Sequence, residues 1–569
     1  MNAALASIDL IKLEILSNAL RSISDETFIA LMRSAYSTNI KERRDHSTAF
    51  LDAQGRLIVQ AAASLPIHIA SMSGLVRKLQ AEYGNDLNQG DIFIANDPHA
   101  AGGTHLPDVG MAMPVFVSGS LIGFMCNIAH HADMGGSVPG SMAGGLSEIF
   151  QEGLRIPVVR LFYRGQLDHA LFKLILLNVR MPDERRGDYF AQVAACRLGE
   201  RRIQELCQAH GQELVTAAFD QIIERTEMRM RAAIASLPDG TYRFEDVMDD
   251  DGLGTEDIAI RLAVHVEQQR ILFDFSGTSA QVKGNINTTR NATEAAVYYT
   301  LKALLDPDIP NNQGVINVVE IRVPEGTLLN SVFPAPVAGR AHTCQRVVDV
   351  IIGAFAEALP SEVVGAANGA NTTAVFAGRD PRTNRDYVYI ETLGGGFGGR
   401  ATHDGTDGVQ VHITNTSNLP VEAIEMEYPL QVDAYELIPD SGGPGRYRGG
   451  LGLRRQIGPV DHDCQFNGAG ERFRRTPWGI FGAGHGAPGR FLKIGADGSR
   501  SALPSKVNDV AVRSGERILV ETPGAGGYGP ASERLREAIE RDLQVNKFSK
   551  EYVRRNYPQF AAPKRTGVH

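Results

Sequence analysis

Apolar residues along the first forty positions recur at helical spacing, with Leu10, Leu13, Leu16, Leu20, Ile23, Phe28, Leu31 and Met32 on one face. This predicts a long helix from Ser7 to Tyr36, with Ser7 as its N-cap and Asp9 in its first turn. A charged entry then leads into strands. KERRDHSTAFLDAQGRLIVQAA reads as a strand, a turn at Asp52 to Gly55 and a second strand from Leu57 to Gln60, with Asp45 and His46 at the mouth of the hairpin. Ile67 to Tyr83 returns to a helical pattern stopped by Gly84, and Asp91 to Ala95 is a strand entering the Asn96-Asp97-Pro98 turn.

Two β-branched apolar runs follow, Val109 to Val117 and Leu121 to His130, joined by Ser118-Gly119-Ser120. If position 117 faces 121, counting outward sets Asp108 opposite His130, with His105 just beyond on the approach to the first strand. Farther on, Leu146 to Glu152 reads as a short helix, and Arg155 to Tyr163 with Leu167 onward as a hairpin around Arg164-Gly165. Three helices span about 170 to 236, the second opened by Pro182, and Pro238-Asp239-Gly240 is the expected domain boundary. Strands dominate beyond it, broken by helices near 291 to 305 and 343 to 359, and a charged helix near 531 to 542 precedes a polar tail with Lys564-Arg565. The expected fold is a multidomain α+β protein with mixed sheets: 1–238 an N-terminal α+β domain, 239–530 a β-rich domain with two helices, and 531–569 a C-terminal helix and tail.

At 569 residues the chain exceeds one ordinary core, and 43% hydrophobic with 22% charged residues is globular composition. The net charge of -9 and the scattered Lys and Arg argue against nucleic acid as a partner. The five cysteines are widely separated with no C-x-x-C, which fits a reducing, cytoplasmic setting without a disulfide framework. Charges inside the first apolar region spoil a signal segment, and no uninterrupted apolar run is long enough for a bilayer, so no membrane association is expected.

The candidate chemistry lies between Asn96 and Gly136, a stretch with four of the fifteen histidines and three aspartates. Asp108, His105 and His130 converge at one end of the hairpin, and imidazole with carboxylate suits zinc, manganese or iron. Singly, each His reads more readily as a strand-end residue bonded to a loop; their convergence favours a metal. His130 and His131 point to opposite faces of a regular strand, and His130 has the register that faces Asp108. Gly394 to Gly399 follows a strand without a helix behind it, and no Gly-Lys-Ser/Thr occurs, so a loop lining a pocket or interface outweighs a nucleotide site. Asp440 to Gly450 and Gly524 to Gly529 read as further turn-rich loops.

NDPHAAGGTHLPDV, GFMCNIAHHADMGGSVPGSM, EIFQEGLRIP, ELIPDSGGPGRYRGGLG and TPGAGGYG resemble, in order, the motifs of the hydantoinase B / oxoprolinase family. The resemblance implies one subunit of an ATP-dependent enzyme that opens cyclic amides such as hydantoins, oxoproline or caprolactam. ATP would be bound by a separate hydantoinase A-type partner, in a dimer of heterodimers. This subunit would hold one divalent metal, zinc or manganese, on Asp45, His105, Asp108 and His130, and Asp45 is supplied by the family pattern alone. Phosphorylation would turn the amide oxygen into a leaving group, the metal would supply hydroxide, and His131 or Asp133 would move protons or orient the ligands. Distant relatives carboxylate acetone or acetophenone, so a ketone carboxylase subunit is the alternative. A non-catalytic scaffold subunit is the third reading.

Overall fold

The computed structural model describes residues 8–369 and 371–560. Helix α1 (Leu10–Ser34) buries Leu13, Leu16, Leu20, Ile23, Phe28 and Leu31, while Leu10 stays 70% exposed. Its cap is Asp9, whose carboxylate accepts from the Lys12 N–H; Ser7 lies outside the described residues. A short turn of helix, α2 (Thr38–Lys41), leads into β1 (His46–Asp52) and β2 (Leu57–Gln60). The expected helix at 67 to 83 divides. A 3-10 turn, Pro66–His68, tied to a distant loop by the Ile67 N–H to Ile413 carbonyl bond, precedes α3 (Ser71–Tyr83).

Strands β3 (Ile92–Ala95), β4 (Asp108–Val117), β5 (Ser120–His130), β6 (Val159–Tyr163) and β7 (Gln166–Leu167) complete a seven-stranded sheet in the order β2-β1-β5-β4-β3-β6-β7. Helices α4 (His169–Leu177), α5 (Pro182–His210) and α6 (Gln212–Ala235) follow. The sheet is covered on both faces. Phe50 and Met125 pack with α1, α5 and α6, whereas their neighbours Ala49, Leu51, Phe124 and Cys126 pack with Leu75, Val76 and Leu79 of α3. Burial on two faces is why these strands read as continuous apolar runs instead of alternating ones.

The hairpin of β4 and β5 pairs Asp108 with His130, the register expected from sequence, but by a different route. Its turn has two residues, Ser118 and Gly119, both at positive φ, and a one-residue bulge between Val115 and Phe116 restores the count. The short helix expected at 146 to 152 is a 3-10 turn, Ile149–Gln151.

A second sheet of β8 (Gly240–Asp250), β9 (Glu256–Glu267), β10 (Arg270–Asp274) and β11 (Val319–Arg322) runs in the order β11-β10-β9-β8. Helices α7 (Arg290–Leu305), α8 (Gln313–Ile316) and α9 (Arg340–Ala354) belong to this part of the chain, and every residue of α9 is buried. The largest apolar cluster runs from Ala49 and Leu75 through Val264 and Leu301 to Ile351, so one continuous core crosses Pro238.

Two further sheets hold the remaining strands, among them Thr372–Asp380, Arg385–Leu393, Leu453–Pro459 and Arg517–Glu521. The three glycine-rich segments interlock through backbone hydrogen bonds as one ordered layer, in place of the separate loops expected. Gly450 N–H bonds the Phe397 carbonyl at 2.8 Å, Ala525 N–H the Gly450 carbonyl at 3.0 Å and Gly399 N–H the Gly526 carbonyl at 2.9 Å. A Cβ on Gly398 would overlap the carbonyl oxygen of Gly365, and one on Gly449 that of Ala525. Backbone packs directly on backbone there, which requires glycine. At the C-terminus two helices, Arg536–Gln544 and Lys550–Asn556, stand where one was expected, separated at Asn546 with φ 56° and restarted by the Ser549 cap; Lys564-Arg565 lies outside the described residues. Among the described residues no helix is long and apolar enough to cross a membrane.

Candidate metal centre

Three elements end at one point. Asp45 immediately precedes β1, and its carbonyl accepts the His130 N–H at 3.0 Å, so β1 and β5 bring Asp45 beside His130. Asp108 opens β4 opposite His130, and the turn Thr104-His105-Leu106-Pro107 is closed by the Asp108 N–H to His105 carbonyl bond. Ligand atoms of His105, Asp108 and His130 lie within 4.8 Å of one another, and all three side chains are buried. Asp45 is outside that tightest group, with its carboxylate near enough for the Asp108 charge to act on it.

Hydrogen bonding leaves lone pairs facing inward. His105 Nδ1–H donates to the Ala338 carbonyl at 3.1 Å, so Nε2 carries a lone pair; that atom is buried without a partner, 3.3 Å from Asp108 Oδ1, which is equally unpartnered. Two donors on one tetrahedral ion at about 2.0–2.2 Å would stand at such a spacing. Asp108 Oδ2 is satisfied separately, by Arg340 Nη2 at 2.7 Å and the Thr104 hydroxyl. For His130, the Asn39 amide nitrogen lies 2.9 Å from Nδ1 and donates to its carbonyl at 2.7 Å, while Arg43 holds Asn39 through Oδ1.

Electrostatics agree with a cation site. Burial, with Arg340 beside it, pushes His105 down to about 4, and burial pushes His130 well below the usual imidazole range, so both rings are uncharged at pH 7. For Asp108 burial works against ionisation, but His105 and Arg340 outweigh it and hold the carboxyl well below its ordinary value. Burial raises Asp45, opposed by Arg43. Unpaired acceptors buried beside an ionised carboxylate are costly. Imidazole nitrogen and carboxylate oxygen at this spacing are a donor set that could hold a metal ion.

The other two expected residues stand apart. The ring of His131 turns away, stacking on Tyr189 at 4.4 Å with Nε2 3.0 Å from Gln192, and the backbone N–H of His131 donates to the Pro107 carbonyl at 2.8 Å. Asp133 is locked by the Gly135, Gly140 and Arg180 N–H groups and by Arg180 Nη1 at 2.8 Å. Sequence reasoning missed His68 and Arg340. The fully buried His68 has Nδ1 2.9 Å from Ser47 Oγ and Nε2 3.3 Å from Asp108 Oδ2. Its setting, Pro66-Ile67-His68-Ile69, looks like apolar core, and Arg340 arrives from 232 residues away, so neither gives a local signal.

A second buried charged cluster occupies the other part of α9. Asp349 meets Arg472 at 2.8 Å and His412 at 3.3 Å, Asp246 meets Arg472 and Arg346, and Glu471 meets Lys506 at 2.7 Å and Arg346 at 3.4 Å. Asp249 accepts from the N–H groups of Phe473, Arg474 and Arg475. The buried atoms left over here are the Nε donors of Arg346 and Arg472; among the described residues no buried carboxylate oxygen of this cluster lacks a partner.

Comparison with known proteins finds relatives that cover nearly the whole chain. 5-Oxoprolinase 1 of Arabidopsis thaliana is 34% identical over 548 residues, 92% of this chain and 42% of that longer one. Caprolactamase subunit beta of Pseudomonas jessenii is 29% identical over 97% of this chain and 96% of its own. The crystal structure of the ATP-dependent caprolactamase of the same organism matches at a TM-score of 0.93 with 27% identity, covering 99% of this chain and 98% of that one. A nucleotide-free acetone carboxylase structure shares the fold, at a TM-score of 0.90 with 18% identity over 96% of this chain and 79% of that one. The family model described as hydantoinase B/oxoprolinase matches residues 9–531, and the chain belongs to that family.

Proposed function

We propose that this chain is the metal-holding subunit of an ATP-dependent enzyme that hydrolyses cyclic amides, working with an ATP-binding partner of the hydantoinase A type in a dimer of heterodimers. The observation that carries the reading is the convergence of unpartnered lone pairs on His105 Nε2 and Asp108 Oδ1 beside His130, with Asp45 as the fourth candidate ligand. An ion bound there would make a water molecule nucleophilic near neutral pH.

The chain's own residues then do the rest. Neutral His105 offers its Nε2 lone pair without first losing a proton, since the Ala338 carbonyl holds the proton on Nδ1, and Asn39 fixes the ring of His130 by donating to its Nδ1. An amide is a poor electrophile, and phosphorylation of its oxygen by the partner would create a leaving group. Arg340 Nη1 has no hydrogen-bond partner among the described residues, so this guanidinium could meet an anionic phosphoryl oxygen while Nη2 keeps Asp108 in place. His131 and Asp133 serve as supports in this reading, His131 by tying the end of β5 to the His105–Asp108 turn.

The test is to incubate the reconstituted complex with ATP, a panel of lactams and hydantoins, and labelled bicarbonate. Ring-opened amino acid is the expected product. Incorporation of label without ring opening would replace the reading with a ketone carboxylase, and neither product with a scaffold subunit.

A further inference from the structure

The EIFQEG segment carries Glu152, a fully buried acid outside the metal cluster. Its Oε1 accepts the Ala338 N–H at 2.7 Å, and Oε2 is buried without a partner. Ala338 is therefore gripped on both sides, because its carbonyl accepts His105 Nδ1–H. Two residues farther on, Arg340 reaches Asp108 and Thr104. The same short segment also bonds the strand of chain before Ala338, through Ile149 N–H to the Pro334 carbonyl at 3.0 Å, and Ile149 packs with Leu106 and Val337 in a small buried cluster. Residues 334–340 thus form a strap seated on 149–152, and the strap holds His105 and Asp108.

We propose that Glu152 is a positioning residue for the metal centre: by fixing Ala338 it keeps His105 protonated on Nδ1 and turns Nε2 toward the ion. The inference rests on reading the cluster as a metal site. What the strap needs from Glu152 is an acceptor oxygen. Burial pushes this carboxyl up to about 8, against the Ala338 and Val337 N–H groups and Arg340, the charged group whose field reaches it. Near neutral pH the side chain is therefore uncharged, and a glutamine amide can replace it.

Cobalt(II) titration of the purified full chain, followed by calorimetry and by the visible absorption of the bound ion, tests the proposal. Glu152→Gln should bind within about threefold of the wild-type affinity with an unchanged spectrum. Glu152→Ala should bind about 10- to 100-fold more weakly, with an altered spectrum, as expected when the partner of a ligating histidine is lost. Glu152→Asp, withdrawn by one methylene, should also weaken binding, and it decides the matter if the alanine variant does not fold. Wild-type affinity and spectrum in Glu152→Ala or Glu152→Asp would overturn the proposal, as would a loss in Glu152→Gln as large as in Glu152→Ala. A wild-type chain that binds no cobalt would instead overturn the metal-site reading itself.

Discussion

Helix α9 touches two buried charged clusters, and they differ in what they leave unpaired. Around Arg346 and Asp349 the carboxylates are matched by Arg472, Lys506, His412 and backbone N–H groups, and only guanidinium Nε donors are spare. Around Arg340 the spare atoms include acceptors, His105 Nε2 and Asp108 Oδ1, facing each other at 3.3 Å. A cluster with its anions paired is complete as a strut. A cluster with spare, converging acceptors calls for a cation, and that difference separates site from scaffold among side chains of similar type and burial.

The comparison breaks most visibly in turnover. His105→Ala or Asp108→Ala should abolish activity of the reconstituted complex, checked by product formation with ATP, because either change removes a ligand. The converse change strikes stability. Asp349→Ala leaves Arg472 buried and short of a partner, and should cost about 3–5 kcal/mol in chemical denaturation while the bound metal is retained. Gly398→Ala, which disturbs the glycine layer and neither charged cluster, should cost about 1–3 kcal/mol by the same measurement.

Two pH effects sharpen the picture. Burial holds His46, His105 and His131 down to about 4 from an ordinary 6.5, so the unfolded chain binds protons that the folded chain refuses. The stability they contribute is fully present above about 6.5 and lost as pH falls toward about 4; a metal-free melting temperature that stays level over that window would contradict this. Glu152 has the opposite sign. Raised to about 8, it contributes stability that is complete below its ordinary 4.5 and lost as pH rises to about 8. Glu152→Gln should flatten that part of the melting-temperature profile, the smallest effect expected here.

Much of this architecture was legible in sequence because its signals are local. Continuous apolar runs bounded by turn residues placed β1 to β5, and pairing arithmetic placed Asp108 against His130 even though the turn is one residue shorter and a bulge makes up the difference. Asp45 came only through family resemblance, since strand order, not sequence, sets β1 beside β5. His68, Arg340 and Glu152 stayed hidden for the same reason: their partners lie 40, 232 and 186 residues away, and an apolar surrounding made His68 look like core. The glycine motifs were visible as motifs, but packing of backbone on backbone leaves no periodicity to read.

Metal content tests the central claim most directly. Elemental analysis of the purified chain should give one divalent ion per chain in the wild type and in His131→Ala, whose ring faces Gln192, and close to none in Asp45→Ala, His105→Ala, Asp108→Ala and His130→Ala. An ion content unchanged in His105→Ala and His130→Ala, or lost in His131→Ala but kept in His130→Ala, would contradict the ligand set described here.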